Sequence, residues 1–176
     1  MAPHEQTIRV SSADEEHMRV RLSLDDLKAN CERDPALWAL ADCHARDARC
    51  DPSARLTCYG GDIGWVNVTH SDPAQFTFDG QNGPIKGFSI DLGGKTIFSF
   101  PSQIHAIGLM LDVLECRNSR TPQYHQIEQT IRGVHRVYRR LLAPFEDSDG
   151  RVDRVFYAIR WLIEPVTLVK APVDLC

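Results

Sequence analysis

Apolar residues along this chain are spaced first for helices, then for short strands, then for one long helix, and finally for three strands. Residues 1–20 mix acidic and small polar side chains without an apolar period, which predicts a mobile leader. Ser23 then opens a helix: Asp25 and Asp26 sit where the helix dipole favours negative charge, and Ser23 with Asp26 approximates a capping box. Asp34-Pro35 marks a second start, because proline at the first helical position gives up no hydrogen bond. Leu37, Trp38, Leu40 and Ala41 form the apolar stripe of this helix. It is expected to stop before Asp51-Pro52, since the residue preceding proline is pushed out of the helical region.

From Gly60 the pattern changes to strand-like runs over 65–70 and 76–79, each closed by Asp-Pro or Asp-Gly turn residues. A glycine-studded connector, 80–95, carries Ile85, Phe88, Ile90 and Leu92, the pattern of a packed loop with a helical turn. Pro101 precedes the longest helical run, 102–117, with Asn118 as its left-handed cap, and its scarcity of charge predicts burial. On a helical wheel Ile104, Ile107, Met110, Leu111 and Leu114 share one face, while His105, Asp112 and Cys116 gather nearly opposite. Runs 124–131, 134–144 and 152–163 are strand-like, the last two joined by a turn over 146–150 ending in Asp149-Gly150. Val155, Tyr157, Ile159, Trp161 and Ile163 alternate with Arg154 and Arg160, so one face of that strand is predicted buried. Run 134–144 carries apolar residues on both faces, which leaves its inward face open. Helices, two strands, a loop and helix, then three antiparallel strands make an α+β order rather than alternating βαβ units.

A chain of 176 residues has room for one domain and a helical extension, which excludes a two-domain kinase or cyclase. The apolar share of 43% and charged share of 25% suit an ordinary packed core. A net charge of -4 offers no general attraction to phosphate, so no nucleic-acid partner is expected. The polar, acidic N-terminus lacks the features of a secretory signal, and a cytoplasmic location follows as the expectation. In that compartment the six cysteines are read as reduced thiols. The longest stretch without charge, 96–111, is interrupted by Pro101 and falls short of the roughly 20 apolar residues of a membrane span.

Several of these segments, taken in order, resemble the PAS domain, and within it a compact bacterial subfamily whose members often stand alone. The ending is Tyr138-Arg139-Arg140-Leu141-Leu142-Ala143-Pro144-Phe145 followed by Asp149-Gly150-Arg151-Val152-Asp153-Arg154-Val155. The segment Gly87-Phe88-Ser89-Ile90-Asp91-Leu92-Gly93-Gly94-Lys95 is similar to the one after the second strand of that subfamily, and Trp38 with Asp51-Pro52 to its helical lead-in. Phe145 stands where leucine is usual, and the likeness covers about residues 60–164. It implies a five-stranded antiparallel sheet with helices on one face, and a role in sensing, association or signalling. It names no ligand. The resulting organisation is a leader at 1–20, a helical extension at 21–58, a PAS-like domain at 59–164 and a tail at 165–176.

Candidate chemistry is sparse. Cys31, Cys43, His44, Cys50 and Cys58 lie close in sequence, but none forms Cys-x-x-Cys, and adjacent Cys43-His44 diverge on a helix, so no metal is expected. Some PAS sensors hold heme through a histidine on the long helix; the wheel turns His105 away from the pocket, so neither heme nor flavin is expected. His125 and His135 are read as structural or surface residues. Gly60-Gly61-Asp62-Ile63-Gly64 lacks the acidic and aromatic residues of a diguanylate-cyclase signature, and neither a phosphate-cradling loop nor a nucleophile elbow occurs. Among Arg132, Arg136, Arg139 and Arg140, Arg136 and Arg140 share a strand face and Arg139 takes the other. A solvated sheet surface is the expectation, with an anion or acidic-partner contact at Arg136 and Arg140 as the functional alternative.

The resemblance, with this sparse chemistry, implies a non-catalytic sensory or regulatory module of bacterial signalling. Its pocket is expected between Ile107, Met110, Leu111 and Leu114 of the long helix and Tyr157, Ile159 and Trp161 of the last strand, residues that a filled core would equally use. With no effector attached, the N-terminal helices are expected to pair two copies through Leu37, Trp38, Leu40 and Ala41, and a signalling protein is the further partner. The alternative is a small α+β enzyme or ligand carrier with Cys or His in a deeper cavity.

Overall fold

A computed structural model of the chain describes residues 7–12, 15–59, 62–79 and 91–163. The connector residues 80–90, Gly60-Gly61 and the tail assigned to 165–176 lie outside the described residues. Among the described residues seven strands form one antiparallel sheet: β1 (Thr7–Ser11), β2 (Glu15–Leu22), β3 (Asp62–Asn67), β4 (Thr77–Asp79), β5 (Gln123–Ile131), β6 (Val134–Glu146) and β7 (Val152–Ile163). Their order across the sheet is β1-β2-β5-β6-β7-β3-β4. The helices are α1 (Leu24–Ala29), α2 (Pro35–Arg46), the short α3 (Ser53–Leu56) and α4 (Gln103–Ser119). The architecture is α+β, with the sheet wider than the sequence predicted.

Local signals set most element ends. Ser23 Oγ accepts from the Asp26 amide at 3.0 Å, and Asp26 answers as acceptor for the Ser23 hydroxyl at 2.8 Å. Pro35 stands in the first turn of α2. Helix α4 is capped by Ser102, whose Oγ accepts from the His105 amide at 3.1 Å. It ends at Arg120, in the left-handed region at φ 56°, two residues beyond the predicted Asn118 cap. The β6–β7 hairpin turns on Gly150 at φ 75°. The β5–β6 hairpin turns through Arg132 and Gly133, both at positive φ (50° and 76°), the two-residue geometry that matches strand twist.

The predicted leader is a correction. Residues 7–11 and 15–22 form β1 and β2, and β2 pairs with β5 in register from Glu15↔Ile131 to Leu22↔Tyr124. Met18, Val20 and Leu22 alternate with His17, Arg19 and Arg21, a period of two placed among acidic residues. The helical extension is also corrected, because helices α1 to α3 fold back onto the sheet. Leu27, Leu37, Leu40 and Leu56 pack with Tyr124, Leu141, Ala143, Phe145, Phe156 and Ala158. On the opposite face α4 packs Ala106, Leu109, Val113 and Cys116 against Val66, Phe78, Leu142, Val155 and Tyr157. Helices therefore cover both faces, which is why β6 carries apolar residues on each side.

Candidate functional site

The buried face of α4 is the one carrying its polar residues. His105, Ala106, Leu109, Asp112, Val113 and Cys116 are buried, whereas Ile107 and Leu111 are 47% and 51% exposed. The wheel placed these stripes the other way round, on the premise that the more apolar stripe faces inward. Met110 and Leu114 are half-buried at the edge of the core, as are Ile159 and Trp161, and Tyr157 is buried within it. The predicted pocket lining is thus divided: the β7 residues face α4, and Ile107 and Leu111 point outward.

What lies under α4 is a polar seam made with β2. The Ser102 hydroxyl donates to Glu15 Oε2 at 2.6 Å. His17 and His105 meet edge to face, ring centroids 5.8 Å apart, and His17 Nδ1 lies 3.3 Å from Gln129 Oε1. Asp112 receives two guanidiniums, Arg19 from β2 and Arg140 from β6. Arg21 closes the seam by donating to Glu115 at 2.7 Å. Glu15, His17, Arg19 and Arg21 share one strand face because side chains two residues apart point the same way.

Burial sets the charge states here. His17 is pushed down to about 4, first by burial and then by the Arg140 charge. His125, pushed down to about 2 by burial and then by Arg140 and Arg19, is also neutral at pH 7. His105 is held well below its ordinary range by burial, the neighbouring His17 and Arg140. Arg140, only 3% exposed, is lowered by burial. Arg136 is buried too and donates to the Val134 carbonyl at 3.2 Å. The solvated surface expected at Arg136 and Arg140 is corrected: both are buried, and Asp112 from α4 pairs with Arg140.

Beside the seam lies a cavity of about 20 Å³. Its walls are Val66, Leu109, Leu142 and Ile159, the rings of Phe78, Phe100, Tyr138 and Tyr157, and two polar residues, His105 and Arg140. The lining, apolar with few convergent polar groups, is of the kind small-molecule sites use, while the volume is that of about one water. Tyr157 is seated by Gly64 opposite it: a Cβ there would stand 2.5 Å from the phenolic oxygen. The seam beside the cavity went unpredicted, although the alternation over 17–22 places His17 and Arg19 on one strand face.

The far face holds a second polar centre. Asp34, at the start of α2, accepts from Arg160 at 2.5 Å, Arg139 at 3.0 Å and the Tyr124 hydroxyl at 3.3 Å. Leu37, Leu40 and Ala41, assigned above to self-association, are buried against the chain's own sheet, and Trp38 is half-buried there. Cys43 and Cys116 are buried, Cys31 and Cys50 half-buried and Cys58 exposed, all as free thiols. Among the described residues no three or more His, Cys, Asp or Glu side chains gather to hold a metal ion, and no helix is long and apolar enough to cross a membrane. Comparison with protein families, curated proteins and solved structures finds no match to this chain.

Proposed function

We propose that this protein is a PAS-like sensory or regulatory module that binds a small ligand between α4 and the sheet and performs no chemistry on it. The observation that carries this is the α4 cavity, an apolar and aromatic chamber with Arg140 and His105 in its wall. The PAS likeness is supported by five adjacent antiparallel strands, β4-β3-β7-β6-β5, with the long helix across one face. The segments resembling the subfamily's ending form the β6–β7 hairpin. Strands β1 and β2 and the helices on the second face add to that plan.

His105 in the cavity wall is the feature that favours an enzyme or carrier. His105 is a neutral imidazole there, Asp112 holds two arginines, and Cys116 donates its S–H to the Thr121 carbonyl at 3.6 Å. Burial also pushes the Cys116 thiol up, away from the thiolate that nucleophilic chemistry needs. These features support binding over catalysis. Native mass spectrometry with an absorbance scan of freshly purified protein tests the reading. A retained small molecule that is lost in Leu109→Phe, which fills the cavity, is the expected result; retention unaffected by that change would place the ligand elsewhere.

Pairing of two copies belongs to the same proposal, but through a different surface. Ile107 and Leu111 form an outward apolar stripe on α4. Dimer mass in light scattering that falls to monomer in Ile107→Glu/Leu111→Glu is expected; an unchanged mass in that variant overturns pairing through this stripe.

A further inference from the structure

Two guanidiniums under α4 share a single carboxylate. Arg19 and Arg140 both reach Asp112, one on each oxygen. Arg140 belongs to the cavity wall, and among the described residues its Nε has no acceptor. A buried cation without a full set of acceptors is costly, and an anion is what relieves it. The other polar groups nearby do not supply that charge. His17, His105 and His125 are neutral, Gln129 is an amide, and Glu115 is engaged by Arg21.

Size decides among anions. A volume of about 20 Å³ is room for roughly one water-sized group, for which about 10–15 Å³ suffices. A phosphate or a dicarboxylate would have to move α4. An aromatic acid would have to displace Phe100 or Tyr157. A compact anion needs only the space already present.

We infer that the cavity takes a small monovalent anion, no larger than formate or chloride, with Arg140 as its principal donor and the apolar walls excluding water. This rests on the proposal that the α4 cavity is the ligand site, and it specifies the class of ligand. The guanidinium fork suits a carboxylate edge, and the wall of Leu109, Leu142 and Phe78 selects against anything bulkier.

The test is titration of the full chain with sodium formate, in gluconate buffer of fixed ionic strength, read by thermal unfolding and by chlorine NMR line broadening with formate as competitor. Formamide, neutral and of similar shape, is the control. We expect a saturable rise in melting temperature with formate, chloride broadening that formate reverses, and formamide at least about tenfold weaker. Arg140→Gln should abolish the formate effect. Leu109→Phe, which leaves every charge in place, should abolish it as well and keeps the test valid if the arginine variant fails to fold. Equal binding of formamide and formate, lost in Leu109→Phe, overturns the anion assignment and leaves the cavity as a ligand site. No saturable response to formate, chloride or formamide overturns the assignment too, and a larger retained molecule displaced by Leu109→Phe would then show that the sensing proposal stands without it.

Discussion

The two faces of the sheet are closed by different forces. Under α1 and α2 the contact is mostly hydrocarbon and aromatic, with one carboxylate, Asp34, satisfied by three donors. Under α4 a comparable apolar cluster is flanked by a seam of arginines, neutral imidazoles, an amide and one shared carboxylate. Hydrocarbon contact is insensitive to pH and non-directional. A buried polar seam is held only while each group keeps its partner and its protonation state. The first face is thus suited to permanent closure and the second to a response.

The largest test of this contrast is Asp112→Asn, which strands Arg140 in the interior with Arg19. We expect a loss of about 4 kcal/mol in urea unfolding, within the range for breaking a buried ion pair. Replacing Arg140 and Asp112 together by methionine and leucine should recover much of it; no recovery would mean that Asp112 acts by more than compensating charge. On the other face Leu40→Ala should cost about 3 kcal/mol as a cavity, and that cost should be the same at pH 7 and pH 5. A pH-dependent cost there would break the comparison.

Acid should act on both faces over this interval, through His17, His105 and His125 under α4 and through His44 of α2, which burial also lowers. The folded-state value of His17 is about 4, below its ordinary 6.5, so the unfolded chain takes up the proton first. Stability is then complete above 6.5 and is lost as pH falls towards 4, with about 2 kcal/mol gone by pH 5 from this residue. His125, pushed to about 2, adds to the loss in the same direction. Urea midpoints between pH 7 and 5 should therefore fall steeply, and His17→Gln should flatten the slope by about one proton. An unaltered slope would remove His17 from the seam's titration. The smallest effect is expected from Gly64→Ala, whose Cβ would meet the Tyr157 hydroxyl at 2.5 Å and force that ring to shift, costing about 1–2 kcal/mol by denaturation.

What was legible in the sequence was local. Ser23, Asp34-Pro35 and Asp149-Gly150 act within a few residues of themselves, and each marks an element boundary in the structure. The turn of α4 about its axis was not legible, because its polar stripe is buried by partners far away in the chain. Glu15 reaches Ser102 across 87 positions, and Arg140 reaches Asp112 from the other direction across 28. A wheel drawn from the helix alone has no access to those partners and turns Ile107 and Leu111 inward. The same cause hid the depth of Arg136 and Arg140, which are covered by elements that the arginine spacing does not name. Only β2 left a readable trace, since Met18, Val20 and Leu22 alternate in the sequence itself.

Strand β2 is also early in the chain and late to find its place. His17 is joined to Gln129, 112 positions onward, so this strand has no sheet to enter until β5 has been synthesised. Contacts of such long separation close slowly, and an unpaired strand waiting for them is exposed to other chains. Its polar face, Glu15, His17, Arg19 and Arg21, keeps that waiting segment soluble. The same charges that wire α4 to the sheet in the finished molecule thus protect the nascent one, and replacing them with hydrocarbon would risk aggregation before folding ends.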